Sequence, residues 1–159
     1  AFFLIGSFMA LWIILYGAVQ ALAPRILQAA RRPAAKLITA ARDWVVVLAM
    51  VPAVLALAVW LSDGPSPWLT GVLVTGLLIF GALFAVNSAL HSYLILAFSQ
   101  GNRVTMDVGF YYMANAAGRL MGTLLSGVSY QMGGVALCLA TAAIMLAISG
   151  WAAARLRPA

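Results

Sequence analysis

The stretch of sequence that decides the fold runs from Asp107 to Gly134 and reads DVGFYYMANAAGRLMGTLLSGVSYQMGG. Within it, residues 108–130 form an apolar run longer than the roughly 18–20 residues with which a helix crosses a bilayer. Arg119 is the only charged side chain in this run. The closing Gly-Gly pair predicts a tight turn. This part of the chain therefore predicts a transmembrane helix that is followed at once by another segment.

The composition of the whole chain predicts lipid as its main solvent. Hydrophobic residues make up 65% of the 159 residues and charged residues only 8%, and a soluble domain of this length cannot cover its surface with so few charges. Most of the nine Lys and Arg residues lie between apolar runs. Membrane orientation therefore explains the basic net charge better than nucleic-acid binding does.

Five apolar segments predict an all-α, polytopic transmembrane helix bundle within a single transmembrane domain over residues 1–159. Asp43 and Asp107 are the predicted N-caps of the second and fourth segments, although Pro33 can start the second helix earlier. Pro24 is expected to end the first segment and Pro52 to kink the second. The predicted spans are 1–23, 44–61, 68–98, 108–130 and 135–154.

The charges of the loops predict the orientation of the chain in the membrane. When the five spans alternate in direction, eight basic residues fall on one side and none on the other. Lys and Arg concentrate in cytoplasmic loops, so we expect a cytoplasmic C-terminus and an external residue 1. A chain that starts outside, at Ala1 and without a signal peptide, leads us to expect an earlier span upstream. The eight basic residues are Arg25, Arg31, Arg32, Lys36, Arg42, Arg103, Arg155 and Arg157.

With its basic loop over 25–42 and the sequence NAAGRLMGTLLSG at 115–127, this arrangement resembles the C-terminal half of a major facilitator superfamily transporter. The resemblance implies that the five segments match spans eight to twelve and that an N-terminal half is missing. The family's loop signature, a Gly-rich turn with an acidic and a basic residue, is degenerate here as QALAPR at 20–25. The resemblance therefore does not extend to the conformational latch of that loop.

Three shorter stretches are similar to organoarsenical efflux permeases: WIILYGAVQALAPR at 12–25, NSALHSYLILAFS at 87–99 and DVGFYYMANAAGRLMGTLLSG at 107–127. This similarity implies a secondary active transporter of a bacterial inner membrane that confers arsenic resistance. It also implies export of a small organic anion, an arsenate adduct of phosphoglycerate, in functional link with a glyceraldehyde-3-phosphate dehydrogenase. The expected partners are thus the lipid bilayer, the missing half and an anionic substrate.

Arg119 is the most informative residue of the predicted spans. It lies roughly 16 Å into its segment, near the middle of a hydrocarbon core about 30 Å thick, where an Arg costs at least about 2.5–3.5 kcal/mol. A guanidinium suits a phosphate-like oxyanion, which favours an anion site. The alternative is a structural bond to backbone carbonyls or to a carboxylate on a missing helix. No span contains an acidic residue, so a charged partner must come from elsewhere.

Other polar residues are predicted to share the substrate site with Arg119. Tyr112 and Asn115 lie on the same helix face, and Asn87 and His91 reach a matching depth on the preceding antiparallel segment. His91 is alternatively a packing residue or a group that couples proton movement to transport. The small residues Gly118, Gly122 and Ser126 are predicted to pack closely against another helix.

The sequence contains no set of residues that indicates an enzyme. It has no phosphate-binding loop, no Ser-His-Asp set and no paired carboxylates, and His91 has no second metal ligand nearby. We therefore expect neither catalysis nor a cofactor or metal. The alternative to a transporter is a non-transporting membrane scaffold or interaction protein of five or six spans. Arg119 distinguishes the two, because a scaffold does not need an isolated cation at the midplane.

The predicted orientation is testable by cysteine labelling of intact cells in a Cys138→Ser background. We expect Asp63→Cys, in the turn between the second and third spans, to react with a membrane-impermeant maleimide added outside. Lys36→Cys, on the basic side, should react only after the cells are opened. Labelling of position 63 from the cytoplasm alone would reverse the assignment.

Overall fold

A computed structural model describes residues 2–27, 33–99 and 103–155 of the chain, and long helices dominate this part. All of the helices are long and apolar enough to cross a membrane, and the described residues contain no β-strand. The prediction of an all-helical bundle is confirmed. The described residues form four helices, whereas five separate segments were predicted. The helices are α1 (Phe2–Leu27), α2 (Ala34–Trp60), α3 (Pro67–Phe98) and α4 (Val104–Ala153).

Helix α4 contains a break that divides it into two arms. The backbone is non-helical at Gly133 (φ −156°, ψ 22°) and Gly134 (φ 62°, ψ −153°). The positive φ of Gly134 is a conformation that glycine adopts without the steric cost that a Cβ imposes. We call residues 104–132 the first arm and residues 135–153 the second arm.

Two contacts across the break show that the second arm turns back towards the first. The hydroxyl oxygens of Ser129 and Thr141 lie 2.9 Å apart, and the Cys138 thiol donates to the Ser126 carbonyl oxygen at 3.2 Å. Each pair is separated by twelve residues, which an unbroken helix would place about 18 Å apart. The predicted turn at 131–134 therefore coincides with a reversal of the helix direction.

Helix α2 runs antiparallel to both of its main neighbours. Val45, near its start, meets Gly150 near the end of α4: a Cβ added to Gly150 would lie 2.8 Å from Val45 Cγ1. Near its end, Leu55 packs against Gly76 of α3, where an added Cβ would lie 2.6 Å from Leu55 Cδ2. Such close approach is typical of glycine at helix contacts in membranes.

Helices α1 and α3 run in the same direction and are joined by aromatic side chains. The Trp12 indole N–H donates to the Leu77 carbonyl oxygen at 3.0 Å, and its ring lies over Gly81. One turn further along, the rings of Tyr16 and Phe84 lie 6.0 Å apart between centroids. The contact with Leu77 gives the half-buried indole N–H of Trp12 a hydrogen-bond partner, as packed Trp side chains usually have.

The apolar core lies at the end of the bundle where α1 ends, α2 begins and α3 ends. It consists of Ala23, Leu27, Leu37, Ile38, Ala41, Val86, Ala89, Leu90 and Leu94. The basic residues Arg25, Lys36, Arg42, Arg103 and Arg155 lie at this same end, which we call the basic end, and Arg155 stacks 3.9 Å from the centroid of the Trp151 ring. The predicted loop residues Arg31, Arg32 and Arg157 lie outside the described residues.

The described helices differ from the first-choice predictions at three boundaries. Helix α1 continues through Pro24, because a proline so near the end removes one backbone bond while Leu27 is buried in the core. Helix α2 starts after Pro33, whose carbonyl oxygen accepts from two amides of the first turn, so the earlier start predicted from Pro33 is confirmed and Asp43 is not the cap. Helix α4 starts at Val104, so that Asp107 lies inside its first turn and is not its cap.

Within the described part of the chain, the predicted close packing of the Gly118, Gly122 and Ser126 row is wrong for the two glycines, and only Ser126 meets a neighbour, through the contact of its carbonyl oxygen with Cys138. A Cβ added at either glycine meets no atom within 4 Å, and all three residues are exposed. Helix α2 instead packs along a row of small residues on the second arm. Both arms carry such a row, so spacing alone does not show which one meets a neighbour. The packed row consists of Ala136, Ala140, Ala143 and Gly150, which line the region between the second arm and α2 and are at least partly buried.

This difference between the two rows gives a matched pair of variants. We expect Gly150→Leu to lower the free energy of unfolding by about 1–3 kcal/mol, because the added side chain overlaps Val45. Gly122→Leu adds the same side chain to an open surface and should leave stability within about 0.5 kcal/mol. Thermal unfolding of the two variants in detergent tests this, and equal losses would contradict the assignment of the packed row.

Candidate functional site

The first arm of α4 carries a row of polar and small residues along one side. Their spacing alternates between three and four residues, which keeps them on one face of a helix. The members nearest the break contact the second arm, whereas those nearer the basic end are exposed. The two arms therefore separate from each other towards the basic end. We call this row the polar row of α4; its residues are Tyr112, Asn115, Arg119, Gly122, Ser126 and Ser129.

Arg119 lies near the centre of the first arm. It follows Asp107 by twelve residues and precedes Gly133 by fourteen, which corresponds to about 18 Å and about 21 Å along the helix. Its side chain is exposed. Within the described residues the only ion pair joins Arg42 and Asp43, both at the basic end. The guanidinium thus has no carboxylate partner in the part of the chain that the structure describes.

Unlike the exposed side chain of Arg119, the polar side chain of Asn87 is buried. It is 7% exposed on α3, and its side-chain carbonyl oxygen has no hydrogen-bond partner among the described residues. A buried polar group without a partner costs about 1–3 kcal/mol. Such groups are rare in proteins and mark places where a further polar group belongs.

His91 lies one turn after Asn87 and is half-buried. Its Nδ1 lies 2.9 Å from the backbone oxygen of Asn87. A backbone carbonyl only accepts hydrogen bonds, so this contact is a hydrogen bond in the tautomer that carries its proton on Nδ1. His91 also lines a groove of about 480 Å³ between the end of α3 and the start of α4, which we call the α3–α4 groove.

The α3–α4 groove contains polar groups that the sequence did not single out as functional. Asp107 and Tyr111 line it from α4, and Ser99 from α3. Asp107 was predicted to cap the helix, and that prediction did not indicate that the residue would line this groove. Had Val104 been taken as the start of α4, helical spacing would have placed Asp107 and Tyr111 on one face, beside the end of the preceding helix.

The five predicted substrate-binding residues occupy three different environments. Tyr112, Asn115 and Arg119 lie together on the exposed polar row of α4. Asn87 is buried in α3, and His91 lines the α3–α4 groove nearer the basic end. The contribution of all five to one cavity stays a prediction. The described residues include no cluster of three or more side chains able to hold a metal ion.

Comparison with known proteins finds no matching family model, no matching curated protein and no matching solved structure. Four long apolar helices with widely exposed apolar side chains fit an integral membrane protein.

The lack of a hydrogen-bond partner for the Asn87 side chain can be tested by comparing a substitution of Asn87 with one of Leu90 on the same helix. We expect Asn87→Ala to change the free energy of unfolding by less than about 1 kcal/mol, because it removes a buried group that makes no bond. Leu90→Ala should cost about 2–5 kcal/mol, because Leu90 is fully buried in the core. Thermal unfolding of the two variants in the same detergent is the measurement. A loss for Asn87→Ala as large as that for Leu90→Ala would mean that the amide has a partner in the folded protein.

Proposed function

We propose that this chain is part of a secondary active transporter of the major facilitator type, and that it exports a small organic anion. The observation that carries the proposal is Arg119, an exposed guanidinium halfway along an apolar helix with no described carboxylate beside it. Its depth, its charge and its neighbours each support a site for an anion.

The depth follows from the membrane topology that the proposal assumes. An unbroken helix of 50 residues would be about 75 Å long, more than twice the thickness of a hydrocarbon core. With the break at Gly133–Gly134, the two arms of α4 are of suitable length to cross separately, which gives five alternating spans. The basic end would then face the cytoplasm together with the C-terminus, and Arg119 would lie near the midplane.

The charge of Arg119 needs a polar environment at that depth. A side chain exposed on a lone helix would face lipid, and a charged group facing lipid is strongly unfavourable. Protein or water must therefore cover this face in the membrane. A cavity between the halves of a transporter supplies both, since substrate sites in such proteins lie near the midplane between helices.

The neighbours of Arg119 favour an oxyanion over other ligands. The Asn115 amide and the Tyr112 hydroxyl lie on the same row and both donate hydrogen bonds, which suits the oxygens of a phosphate or arsenate group. The guanidinium adds a forked pair of donors with a permanent charge. The similarity to organoarsenical efflux permeases indicates an arsenate adduct of phosphoglycerate as substrate, supplied by a dehydrogenase partner. A membrane scaffold has no need of this row.

The proposal is tested by substitution of Arg119 in the complete transporter. We expect Arg119→Lys to weaken efflux about tenfold, because the ammonium keeps the charge but loses the fork, and Arg119→Ala to reduce it about a hundredfold or more. Substrate efflux from cells, or arsenic resistance in the presence of the dehydrogenase, is the readout.

Arg103→Ala is the matched control, since it removes the same side chain from the start of α4 at the basic end and should leave efflux within about twofold. Membrane amounts of all variants are compared by immunoblot. Normal efflux by Arg119→Ala protein present in normal amounts would show that Arg119 is structural and would remove the basis of the proposal.

A further inference from the structure

A long groove runs between α2 and the second arm of α4, and we call it the α2–α4 groove. Its volume is about 710 Å³. Its lining extends from Arg42 to Ala53 on α2 and from Ala143 to Ala154 on the second arm. Of the described residues that line it, Arg42 is the only charged one, and the others are hydrophobic or glycine. The groove is thus basic at one end and apolar over the rest of its length.

Two arginines lie at the basic end of this groove. The close contact between Val45 and Gly150 aligns the two antiparallel helices. Arg42 precedes Val45 by three residues and Arg155 follows Gly150 by five, so both lie roughly 5–8 Å beyond the contact along the helix axes. The guanidinium carbon of Arg155 lies 3.9 Å from the centroid of the Trp151 ring, and Trp151 lines the groove. Both guanidinium groups therefore lie at the rim of the groove.

Both guanidinium groups are available to bind an anion. Arg42 pairs with Asp43 at a long distance of 3.8 Å, and both side chains are more than half exposed, so this pair contributes little. Asp43 does not line the groove. Arg155 forms no ion pair with a described carboxylate. Its guanidinium stacks on Trp151 through its face, which leaves the N–H groups along its edge available as donors.

The length of the groove matches one leaflet of a bilayer. Along α2, Arg42 and Ala53 are eleven residues apart, which corresponds to about 16 Å of helix. Half of a hydrocarbon core about 30 Å thick is about 15 Å. The lining residues Val46, Met50 and Ile144 are exposed, so the groove is open to the surrounding lipid. An acyl chain that starts at the arginines would therefore follow the groove for most of the leaflet.

We propose that the α2–α4 groove binds an anionic phospholipid, with one acyl chain along its apolar part and the headgroup at Arg42 and Arg155. Permanent positive charge at one end and an apolar channel beyond it complement the two parts of such a molecule. Basic pockets between membrane helices are typical binding sites for anionic headgroups. Trp151 suits the same depth, since Trp concentrates at the interface between lipid and water.

A second groove provides a comparison within the same molecule. The α2–α3 groove, of about 860 Å³, is lined on α3 by residues that include Trp68, Val72 and Ile79, and no charged residue of the described chain lines it. It therefore offers an apolar surface to any lipid, without a preference for the headgroup. The proposal for the α2–α4 groove rests on the location of the chain in a membrane and not on anion export. It stands or falls separately from the proposed function.

The test uses the full chain in phosphatidylcholine vesicles that contain a small amount of a lipid with a photoactivatable acyl chain. The probe is either phosphatidylglycerol, which is anionic, or phosphatidylcholine, which is neutral overall. Mass spectrometry after illumination measures the adducts on residues 143–151 of the second arm and on residues 68–79 of α3. We expect the anionic probe to label the second arm about ten- to twenty-fivefold more than the neutral one, since each Arg contributes about fivefold. Labelling of α3 should agree within about twofold between the probes.

Three single variants separate the site from the general charge of the basic end. Arg42→Gln and Arg155→Gln should each lower the headgroup preference about fivefold, and the double variant should remove it. Both side chains are exposed, so neither change disturbs the core. Arg103→Gln is the matched control, because it removes an exposed Arg at the same end that lines neither groove, and it should keep the preference.

The proposal is overturned if the wild-type protein shows no headgroup preference on the second arm, if the folded double variant keeps the preference, or if Arg103→Gln removes it. Labelling of the second arm by neither probe, with normal labelling of α3, would show that protein and not lipid covers the α2–α4 groove. That result would overturn the proposal as well.

Discussion

The thickness of the bilayer is the constraint on which the rest of this structure depends. Lipid offers no hydrogen bonds to a polypeptide backbone, so a chain crosses it as helices of about 20 residues, and α4 with its 50 residues is too long for one crossing. Gly133 and Gly134 interrupt the helix after the first arm, which is by itself long enough for one crossing. The chain reverses there, and the Ser129–Thr141 contact of 2.9 Å holds the two arms together near the turn.

That reversal positions the residues to which we assign function. Because the second arm packs along α2 through its row of small residues, the first arm is left with most of its surface uncovered. Near the break the polar row of α4 contacts the second arm through Ser126 and Ser129, whereas the row is uncovered around Arg119. At the basic end the start of the first arm and the end of α3 form the α3–α4 groove, which His91 and Asp107 both line.

Hydrophobic run length predicted the long helices, and loop charge predicted the common end of the basic residues, since both are properties of local composition. Helix boundaries were less predictable. Pro24 indicates the end of a helix and Asp43 the start of one. Burial of Leu27 in the core nevertheless extends α1 beyond Pro24, and burial of Leu37 and Ala41 favours a start of α2 before Asp43. The surroundings of a residue depend on tertiary contacts in the same way. Spacing placed Tyr112, Asn115 and Arg119 on one face, but it did not show that Asn87 is buried or that His91 and Asp107 line one groove.

The most direct test of this account is a disulfide across the break of α4. In a Cys138→Ser background, Ser129→Cys with Thr141→Cys should form an intramolecular disulfide under mild oxidation, because the hydroxyl oxygens they replace lie 2.9 Å apart. Met113→Cys with Leu125→Cys has the same separation in sequence within the first arm and should form none. A mass decrease of about 2 Da for the first pair alone, from loss of two hydrogens, is the predicted result. Absence of a disulfide in the first pair, in folded protein, would show that α4 does not turn back at Gly133–Gly134.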